Sequence, residues 1–543
     1  MLTRPMLAKL AAGAAATAAA LVTTTSPAAA CPPGGGGELR VFAEEPGHLV
    51  PGNVNQSESL IVDSVLYSGL VRYDPKTLQP VNVQADSITP SADQKVWTVR
   101  LKKNLTFHNG ERVDADAYIR AWNHTAYGPN EQANNDFFRS IQGFADLQAG
   151  PDPDGSGPLQ PAPPKAKRLS GLQKVDDRTF KVTLNEPYSG FRTMLGYIGF
   201  HPMAKACLAD LKACDEKPIG NGPYRFESWE HNKVIKTVRF DGYAGDKGKS
   251  QRITFKLMEN VSDGYTAFEK GELDVVRKLL PGDKLPEARQ KYGANLIEVP
   301  MASLQRIAFP TYDARFKDKR VRQAISMAVD RKAIIDKIYH GAHVPADGFV
   351  SPVFPGARSS CAYCSYAPDK ARQLLAEAGG WQGGKLELWT NSGADHQVWM
   401  AELGEQLKKN LGIDYEVKAD LPYSQYVEKI HANGMTGMFR SGWNSDYPSM
   451  ENFLTPLYAK NGSTAVTGWS DPRFDELVAK GNRAATPEEA VSFYQQAEDL
   501  VAEDMPAMPV WYVKGSTLYS DKFTDAVVNP VGGEPILANF TRK

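Results

Sequence analysis

Residues 97–116 read WTVRLKKNLTFHNGERVDAD. Apolar and polar residues alternate from Val96 to Leu101, which predicts a β-strand with one buried face. Asn109-Gly110 then predicts a hairpin-type turn, and helical periodicity runs from Ala115 to His124. A strand, a turn and a helix in close succession indicate a mixed α/β protein.

Strands and helices alternate on both sides of this stretch. Strand-like runs lie at Glu38–Ala43, Phe180–Leu184, Val234–Phe240 and Ile253–Leu257. Helical patterns cover Ser57–Gly69, Lys319–Ala328, Arg331–His340 and Pro368–Ala378, with Asp318 and Asp330 as N-caps. Residues 149–164 are rich in Pro and Gly and predict a surface excursion.

Length and composition limit the class of protein. A chain of 543 residues is too long for one hydrophobic core and suggests about three domains or a large two-lobed body. With 42% hydrophobic and 23% charged residues, the composition excludes a disordered chain, a collagen-like repeat and a polytopic membrane protein. The 62 basic and 63 acidic residues nearly cancel, so no global field attracts nucleic acid.

The first thirty residues predict a secretory signal peptide. Arg4 and Lys9 precede an apolar stretch at residues 10–22, and alanines occupy residues 28–30. The apolar stretch is shorter than the about 20 residues that a membrane span requires. We therefore expect residues 1–30 to be removed on export.

Cys31 follows this site directly, as in a bacterial lipobox, where the thiol is acylated and becomes the new N-terminus. Ala28 stands where such boxes usually carry Leu, so ordinary signal cleavage is the alternative. Residues 31–37 are then a lipidated cysteine and a flexible Pro/Gly tether. The expected location is the extracytoplasmic face of the cell membrane, or the periplasm or medium if Cys31 is not acylated.

The other four cysteines form two close pairs, Cys207/Cys214 and Cys361/Cys364. In an exported protein such pairs predict disulfides. Cys361 and Cys364 could instead form a redox CxxC motif. They lie, however, in a Pro/Ser-rich loop rather than at the start of a helix after a strand.

Signatures of catalysis and metal binding are largely missing. The chain has no G-x-S-x-G, S-x-x-K or H-E-x-x-H motif. His340 and His343 straddle a helix stop and are not expected to share a metal. Residues 220–223 (GNGP) lack the Lys of a phosphate loop and predict a tight turn. We expect no enzyme, no metal and no cofactor.

Six segments together resemble the extracytoplasmic peptide-binding subunits of ABC importers, the oligopeptide/dipeptide/nickel-binding group. They are residues 97–116, 218–229 (PIGNGPYRFESW), 316–331 (FKDKRVRQAISMAVDR), 366–379 (YAPDKARQLLAEAG), 442–448 (GWNSDYP) and 504–509 (DMPAMP). They follow the family's order from about residue 38 to 530. Asn221 replaces a common Thr, and Phe309-Pro310 stands where the family often has Phe-Asn.

The resemblance implies a two-lobed, hinged α/β fold of the periplasmic-binding-protein type (cluster C), with an extra inserted subdomain in the first lobe. The order of the matches implies a first lobe at 38–71, 206–300 and 510–543. The inserted subdomain is expected at 72–205 and the second lobe at 301–509. Ligand is expected in the cleft between the lobes, which closes about a hinge.

The segment Arg440-Ser-Gly-Trp443-Asn-Ser-Asp446 resembles the motif R-x-G-W-x-A-D-Y of the oligopeptide branch. The resemblance implies that Asp446 binds the peptide's α-ammonium, that Arg440 approaches its far end and that Trp443 lines the cleft. A desolvated charge needs such a partner. Otherwise Asp446 would cap the helix near Glu451, with Arg440 in solvent and Trp443 in the core. Phe137 or Phe138 is a further candidate contact.

The leading hypothesis is therefore a monomeric, lipid-anchored protein that captures oligopeptides or dipeptides and delivers them to an ABC permease. One alternative keeps the fold but binds a metal chelate, haem, an opine or a sugar. A second alternative is an exported hydrolase or a redox protein that uses Cys361 and Cys364. Ligand length and sequence preference are not predicted.

Overall fold

The computed structural model describes residues 37–150, 162–392 and 396–543. The predicted signal peptide, Cys31 and most of the tether lie outside these residues, as does most of the excursion at 149–164. The predictions about them therefore stay predictions.

Twenty-two strands lie within the described residues. They are β1 Glu38–Ala43, β2 Val71–Tyr73, β3 Pro80–Asn82, β4 Ala85–Pro90, β5 Val96–Leu101, β6 Leu172–Asp176, β7 Thr179–Thr183, β8 Tyr224–Glu230, β9 Val234–Arg239, β10 Arg252–Leu257, β11 Val275–Val276, β12 Leu296–Ala308, β13 Val344–Pro345, β14 Leu386–Asn391, β15 Tyr415–Leu421, β16 Met438–Arg440, β17 Trp443–Asn444, β18 Ala507–Tyr519, β19 Phe523–Thr524, β20 Val528–Asn529, β21 Glu534–Pro535 and β22 Thr541–Arg542.

Fifteen α-helices accompany them in the same ranges. They are α1 Ser57–Leu66, α2 Ala115–Ala126, α3 Phe191–Met194, α4 Lys205–Ala209, α5 Leu211–Glu216, α6 Val261–Glu269, α7 Leu285–Tyr292, α8 Lys319–Met327, α9 Arg331–Tyr339, α10 Pro368–Glu377, α11 His396–Leu411, α12 Tyr423–His431, α13 Glu451–Tyr458, α14 Pro472–Asn482 and α15 Pro487–Asp504. None of these helices has both the length and the apolar character needed to cross a membrane.

The predicted α/β class is confirmed by a large mixed sheet with helices packed against it. Ten of its strands run in the order β15-β14-β16-β12-β18-β11-β1-β10-β9-β8, and β13 and β17 pair with β18 and β12. A separate antiparallel sheet, β4-β5-β7-β6, lies within residues 72–205.

Two long strands, β12 and β18, run through the centre of the large sheet. Each has 13 residues, and they pair antiparallel. Their register is broken between Pro300 and Leu304. On one side of this break β18 pairs with β11, and on the other β12 pairs with β16 and β17. The break therefore separates two parts of the sheet that share only these two strands at this point.

Local sequence signals agree with the structure to within a few residues. The strand predicted at Val96–Leu101 is β5, and the Asp318 and Asp330 side chains accept hydrogen bonds from the first turns of α8 and α9. The helix predicted to end at Gly69 ends instead at Leu66, because the chain turns to extended geometry at Tyr67.

The tight turn at residues 220–222 packs against the end of α1. The backbone N–H groups of Asn221 and Gly222 both donate to the Leu66 carbonyl, at 3.0 and 2.8 Å. The Asn221 side chain bonds both to the Ser68 N–H and to its carbonyl. These amides are used within the protein, so the segment is a structural turn rather than a phosphate loop.

Both cysteine pairs form disulfides, as predicted. The Cα atoms are 5.0 Å apart in Cys207–Cys214 and 5.3 Å apart in Cys361–Cys364. All four side chains are buried in the hydrophobic core.

Candidate functional site

Asp446 lies in the turn between β17 and α13. Strand β17 pairs with β12, with Trp443 opposite Leu304. The Ser445 N–H donates to the Ala302 carbonyl at 2.8 Å. These backbone contacts attach the turn to β12 at its register break and so fix the position of Asp446.

Asn452 holds the Asp446 side chain and backbone. The Asp446 N–H donates to Asn452 Oδ1 at 2.9 Å, and Asn452 Nδ2 donates to Asp446 Oδ2 at 3.3 Å. Helix α13 begins after Met450 and has no side-chain cap. The alternative in which Asp446 caps this helix is therefore wrong, because its carboxylate points to Asn452 instead.

The Asp446 carboxyl group is an acid without a basic partner. Among the described residues, no Lys, Arg or His side chain lies within ion-pair distance of it. Its pKa is raised to about 7, chiefly by burial; the hydrogen bond from Asn452 opposes this rise and the nearby Glu451 adds to it. A carboxylate in this setting attracts a cation from outside the chain.

Two tyrosines from residues 72–205 interact electrostatically with Asp446. Burial raises the pKa of both Tyr73 and Tyr197, and the Asp446 carboxylate adds to the effect in each. The Tyr197 hydroxyl donates to Asn134 Oδ1 at 3.0 Å. The Tyr73 hydroxyl donates to a backbone carbonyl at 2.9 Å. Their hydrogen bonds hold the aromatic rings in place as one wall of the site.

Phe137 extends this wall. Its ring stacks on Tyr197 with 4.1 Å between centroids, and the side chain is half-buried. Phe138 is fully buried and packs on Trp122 and Phe200. Of the two phenylalanines considered, Phe137 therefore contacts Tyr197, whereas Phe138 belongs to the hydrophobic core.

A second carboxylate, Glu451, lies beside Asp446 and is buried. Its Oε2 accepts a hydrogen bond from the Tyr447 hydroxyl at 2.7 Å and one from the Tyr188 hydroxyl at 3.2 Å. The two hydroxyls are 3.5 Å apart. Glu451 is thus satisfied by neutral donors, whereas Asp446 is held by one amide.

Arg440 lies on β16, opposite Ile307 of β12. Its Nη1 donates to Asn391 Oδ1 at 3.3 Å, and its Nε has no hydrogen-bond partner in the described part of the chain. Burial lowers the pKa of His396 to about 4, and the Arg440 cation contributes. Arg440 is therefore not solvated but sits partly buried beside a neutral imidazole.

Trp443 is half-buried and packs against the main core, with its indole N–H unpaired among the described residues. Arg440 and Trp443 pair with β12 at Ile307 and Leu304, which are three positions apart. At about 3.3 Å per residue, the two lie about 10 Å apart along the strand. The predicted residues are therefore brought to one edge of β12.

Several residues of the site were not predicted from the sequence. Asn452, Glu451, Tyr188, Tyr197 and His396 reach it from four separate segments. The one local signal for these residues was the polar pair Glu451-Asn452 after Pro448. Polar residues are unusual at a buried helix start.

The histidines at 340 and 343 do not form a pair. His340 ends α9 in the left-handed conformation, whereas the His343 ring stacks on Trp511 at 5.6 Å. Within the described residues no group of three His, Cys, Asp or Glu side chains is arranged to hold a metal ion.

Comparison with known proteins places these features in a family. The model for bacterial extracellular solute-binding proteins, family 5 Middle, matches residues 79–465. The chain is 26% identical over 513 residues to the oligopeptide-binding protein OppA of Bacillus subtilis, covering 91% of this chain and 90% of that protein. It is 26% identical over 487 residues to heme-binding protein A of Haemophilus influenzae, covering 86% and 85%.

The fold also matches solved structures. The structure of Haemophilus influenzae OppA in complex with RPPGFSPFR superposes with a TM-score of 0.74 at 21% identity, covering 93% of this chain and 98% of that chain.

Proposed function

The chain belongs to the bacterial extracellular solute-binding proteins of family 5, and we therefore propose that it binds peptides at Asp446 and delivers them to an ABC permease. The relatives named for oligopeptide binding support peptides as the ligand class.

The observation that carries this proposal is the unpaired Asp446 carboxyl group. Some carboxylates elsewhere in the fold meet guanidinium groups, as in Asp274 with Arg40 and Glu534 with Arg277, whereas the buried Asp63 has no hydrogen-bond partner among the described residues. Asp446 also has no guanidinium partner among the described residues, and its charge acts on Tyr73 and Tyr197. The α-ammonium of a peptide supplies the missing charge and donates hydrogen bonds to the carboxylate.

We assign the other end of the peptide to the neighbourhood of Arg440. Its unpaired Nε and its link to Asn391 leave guanidinium donors for a carboxylate or a backbone carbonyl. Trp443, between Arg440 and Asp446 along β12, would contact the peptide backbone or a side chain. Phe137 and Tyr197 would cover the first residue from the other side.

Haem, a metal chelate, an opine or a sugar remain alternatives within the same fold. Heme-binding protein A is a relative of similar identity. The carboxyl pair Asp446 and Glu451 favours a ligand with a positive end, whereas the propionates of haem are anionic. The peptide hypothesis therefore takes precedence.

We also propose that the protein carries out no covalent chemistry, since its family is one of solute-binding proteins. The proposal includes export, an acylated Cys31 as the membrane anchor, and a monomeric body. The two lobes and the insert, with the boundaries predicted above, would move about β12 and β18, where the register of the sheet breaks.

The test begins with native mass spectrometry of the mature protein to identify the molecule that co-purifies. Calorimetry then compares that peptide with its N-acetylated form. Because acetylation removes the positive charge, we expect the acetylated peptide to bind at least about tenfold more weakly. A non-peptide ligand, or equal affinity for both forms, would contradict the proposal.

A further inference from the structure

Residues 72–205 touch the part of the chain after β12 along a line of contacts near the site. The Ser189 N–H donates to the Asn482 carbonyl at 2.8 Å, and Gln94 Nε2 donates to the Ala484 carbonyl at 2.9 Å. We call these contacts the rim. They are backbone-directed and lie near the surface, so each can exchange with water at small cost.

Beneath the rim lies a buried contact of a different kind. Tyr188, next to Ser189, reaches Glu451 Oε2 at the start of α13, at 3.2 Å. Tyr188 is 9% exposed and Glu451 is 6% exposed. The two residues are 263 positions apart in the chain, so their contact joins two separate parts of the fold.

This contact differs from the Tyr447 contact on the same carboxylate. Tyr447 and Glu451 are four residues apart in one local segment. Their contact therefore does not depend on the position of residues 72–205. Separation of residues 72–205 from α13 would break only the Tyr188 bond. It would remove one donor from a buried carboxylate and leave a tyrosine hydroxyl to be solvated again.

The position of the contact links it to the ligand site. Glu451 is close enough to Asp446 to affect the charge of its carboxyl group, and Asn452, the next residue, bonds to Asp446 directly. Tyr73 and Tyr197, which interact electrostatically with Asp446, belong to the same segment, 72–205, as Tyr188. The contact between Tyr188 and Glu451 therefore holds this segment against the start of α13, next to the turn that carries Asp446.

We propose that the hydrogen bond from Tyr188 to Glu451 is a latch that holds residues 72–205 over Asp446 and so retains a bound ligand. The retention of peptide rests on the proposed function, whereas the closure of the two parts does not. The two claims are tested separately.

The closure test uses the mature protein without ligand. Hydrogen–deuterium exchange followed by mass spectrometry reports on the Ser189 amide, whose bond to Asn482 crosses the same boundary. In Tyr188→Phe we expect this amide to exchange about tenfold faster than in the wild type, because the buried hydrogen bond to Glu451 is lost. Tyr118→Phe is the matched control, since its buried hydroxyl bonds to Gln84 within residues 72–205.

Two substitutions of Glu451 separate hydrogen bonding from charge. Glu451→Gln keeps a carbonyl oxygen that accepts from Tyr188, so we expect exchange at Ser189 close to that of the wild type. Glu451→Leu removes the acceptor and should behave like Tyr188→Phe. Equal exchange in the wild type, Tyr188→Phe and Glu451→Leu would overturn the latch, whether or not any peptide binds.

The retention test measures the dissociation of trialanine by stopped-flow tryptophan fluorescence. Tyr188→Phe should raise the dissociation rate constant about tenfold and leave the association rate constant nearly unchanged, whereas Tyr118→Phe should change neither. An unchanged dissociation rate would overturn the retention claim. If trialanine does not bind to the wild type, peptide binding is in question and the exchange experiment still decides the closure claim.

Discussion

Asp446 is oriented by a hydrogen bond within the fold, yet its carboxyl group has no ion-pair partner among the described residues. Its carboxyl group is buried, and its pKa is raised to about 7 chiefly by desolvation. Asn452 supplies one hydrogen bond, which orients the group but does not neutralise it. At neutral pH the carboxyl group is therefore near its midpoint of ionisation, and an arriving ammonium favours the charged form.

Asp446→Asn tests this role directly. The amide keeps the size and the contact to Asn452 but loses the charge, so we expect peptide affinity to fall by about 2–5 kcal/mol. Calorimetry with the co-purifying peptide measures the loss. Asp521→Asn, at an exposed position, is the control and should bind as the wild type does. Unchanged affinity in Asp446→Asn would remove Asp446 from the site.

The raised pKa of Asp446 also predicts a pH dependence of binding. The ionised carboxylate pairs with the ammonium, so the affinity should fall as pH drops below about 7, by roughly tenfold per unit once the acid is protonated. Above about pH 8 the peptide's amine, with a pKa of about 7.7–8.0, loses its proton, and affinity should fall again. Calorimetry between pH 5 and 9 measures the profile, and the acidic decline should vanish in Asp446→Asn.

At the scale of single elements, the turn at residues 220–222 shows how closely the chain packs against the end of α1. A Cβ atom on Gly220 would lie 1.9 Å from the Leu66 carbonyl oxygen, at the C-terminal end of α1. Glycine is needed there because the two backbones touch, and this explains the Gly-x-Gly pattern better than ligand binding does.

Gly220→Ala should therefore destabilise the protein. The added methyl group must push apart two backbone segments, at a cost of about 2–3 kcal/mol. Thermal unfolding followed by circular dichroism measures the change. Gly282→Ala is the control, because the nearest atom to its Cβ would be 3.8 Å away, and we expect its melting temperature to match the wild type or exceed it. Equal effects of the two substitutions would contradict the packing argument.

At the scale of the whole molecule, strands β12 and β18 unite parts of the large sheet on either side of a register break, and the rim and Tyr188 join residues 72–205 to the part of the chain after β12. A hinged closure requires two connections of different strength. Here one connection is covalent and continuous, and the other consists of a few hydrogen bonds.

A disulfide across the rim should lock this arrangement. The Ser189 N–H donates to the Asn482 carbonyl at 2.8 Å, so the two backbones are neighbours across the rim. We expect the oxidised double variant Ser189→Cys/Asn482→Cys to bind peptide far more slowly than its reduced form, because entry requires opening. Stopped-flow fluorescence compares the two forms, and peptide mapping checks the disulfide. Equal association rates would show that ligand enters by another route.

The family resemblance indicated Asp446, Arg440 and Trp443 because they lie in one short motif, and the strands and helix caps were predicted because their signals are local. Period-two alternation identified β5, and Asp318 and Asp330 capped helices as expected, since capping involves residues two or three positions apart. The cysteine pairs were likewise close in the chain.

By itself, therefore, the sequence determined the α/β class, the local elements, both disulfides and the identity of the motif around Asp446. Only the tertiary structure decided that β12 pairs with β18, that Tyr188 meets Glu451 and that Tyr73 and Tyr197 interact electrostatically with Asp446. Propensity, periodicity and capping act over a few residues, whereas these contacts join segments up to hundreds of residues apart. The raised pKa of Asp446 follows from the same cause, because burial is a property of the assembled fold and not of the motif.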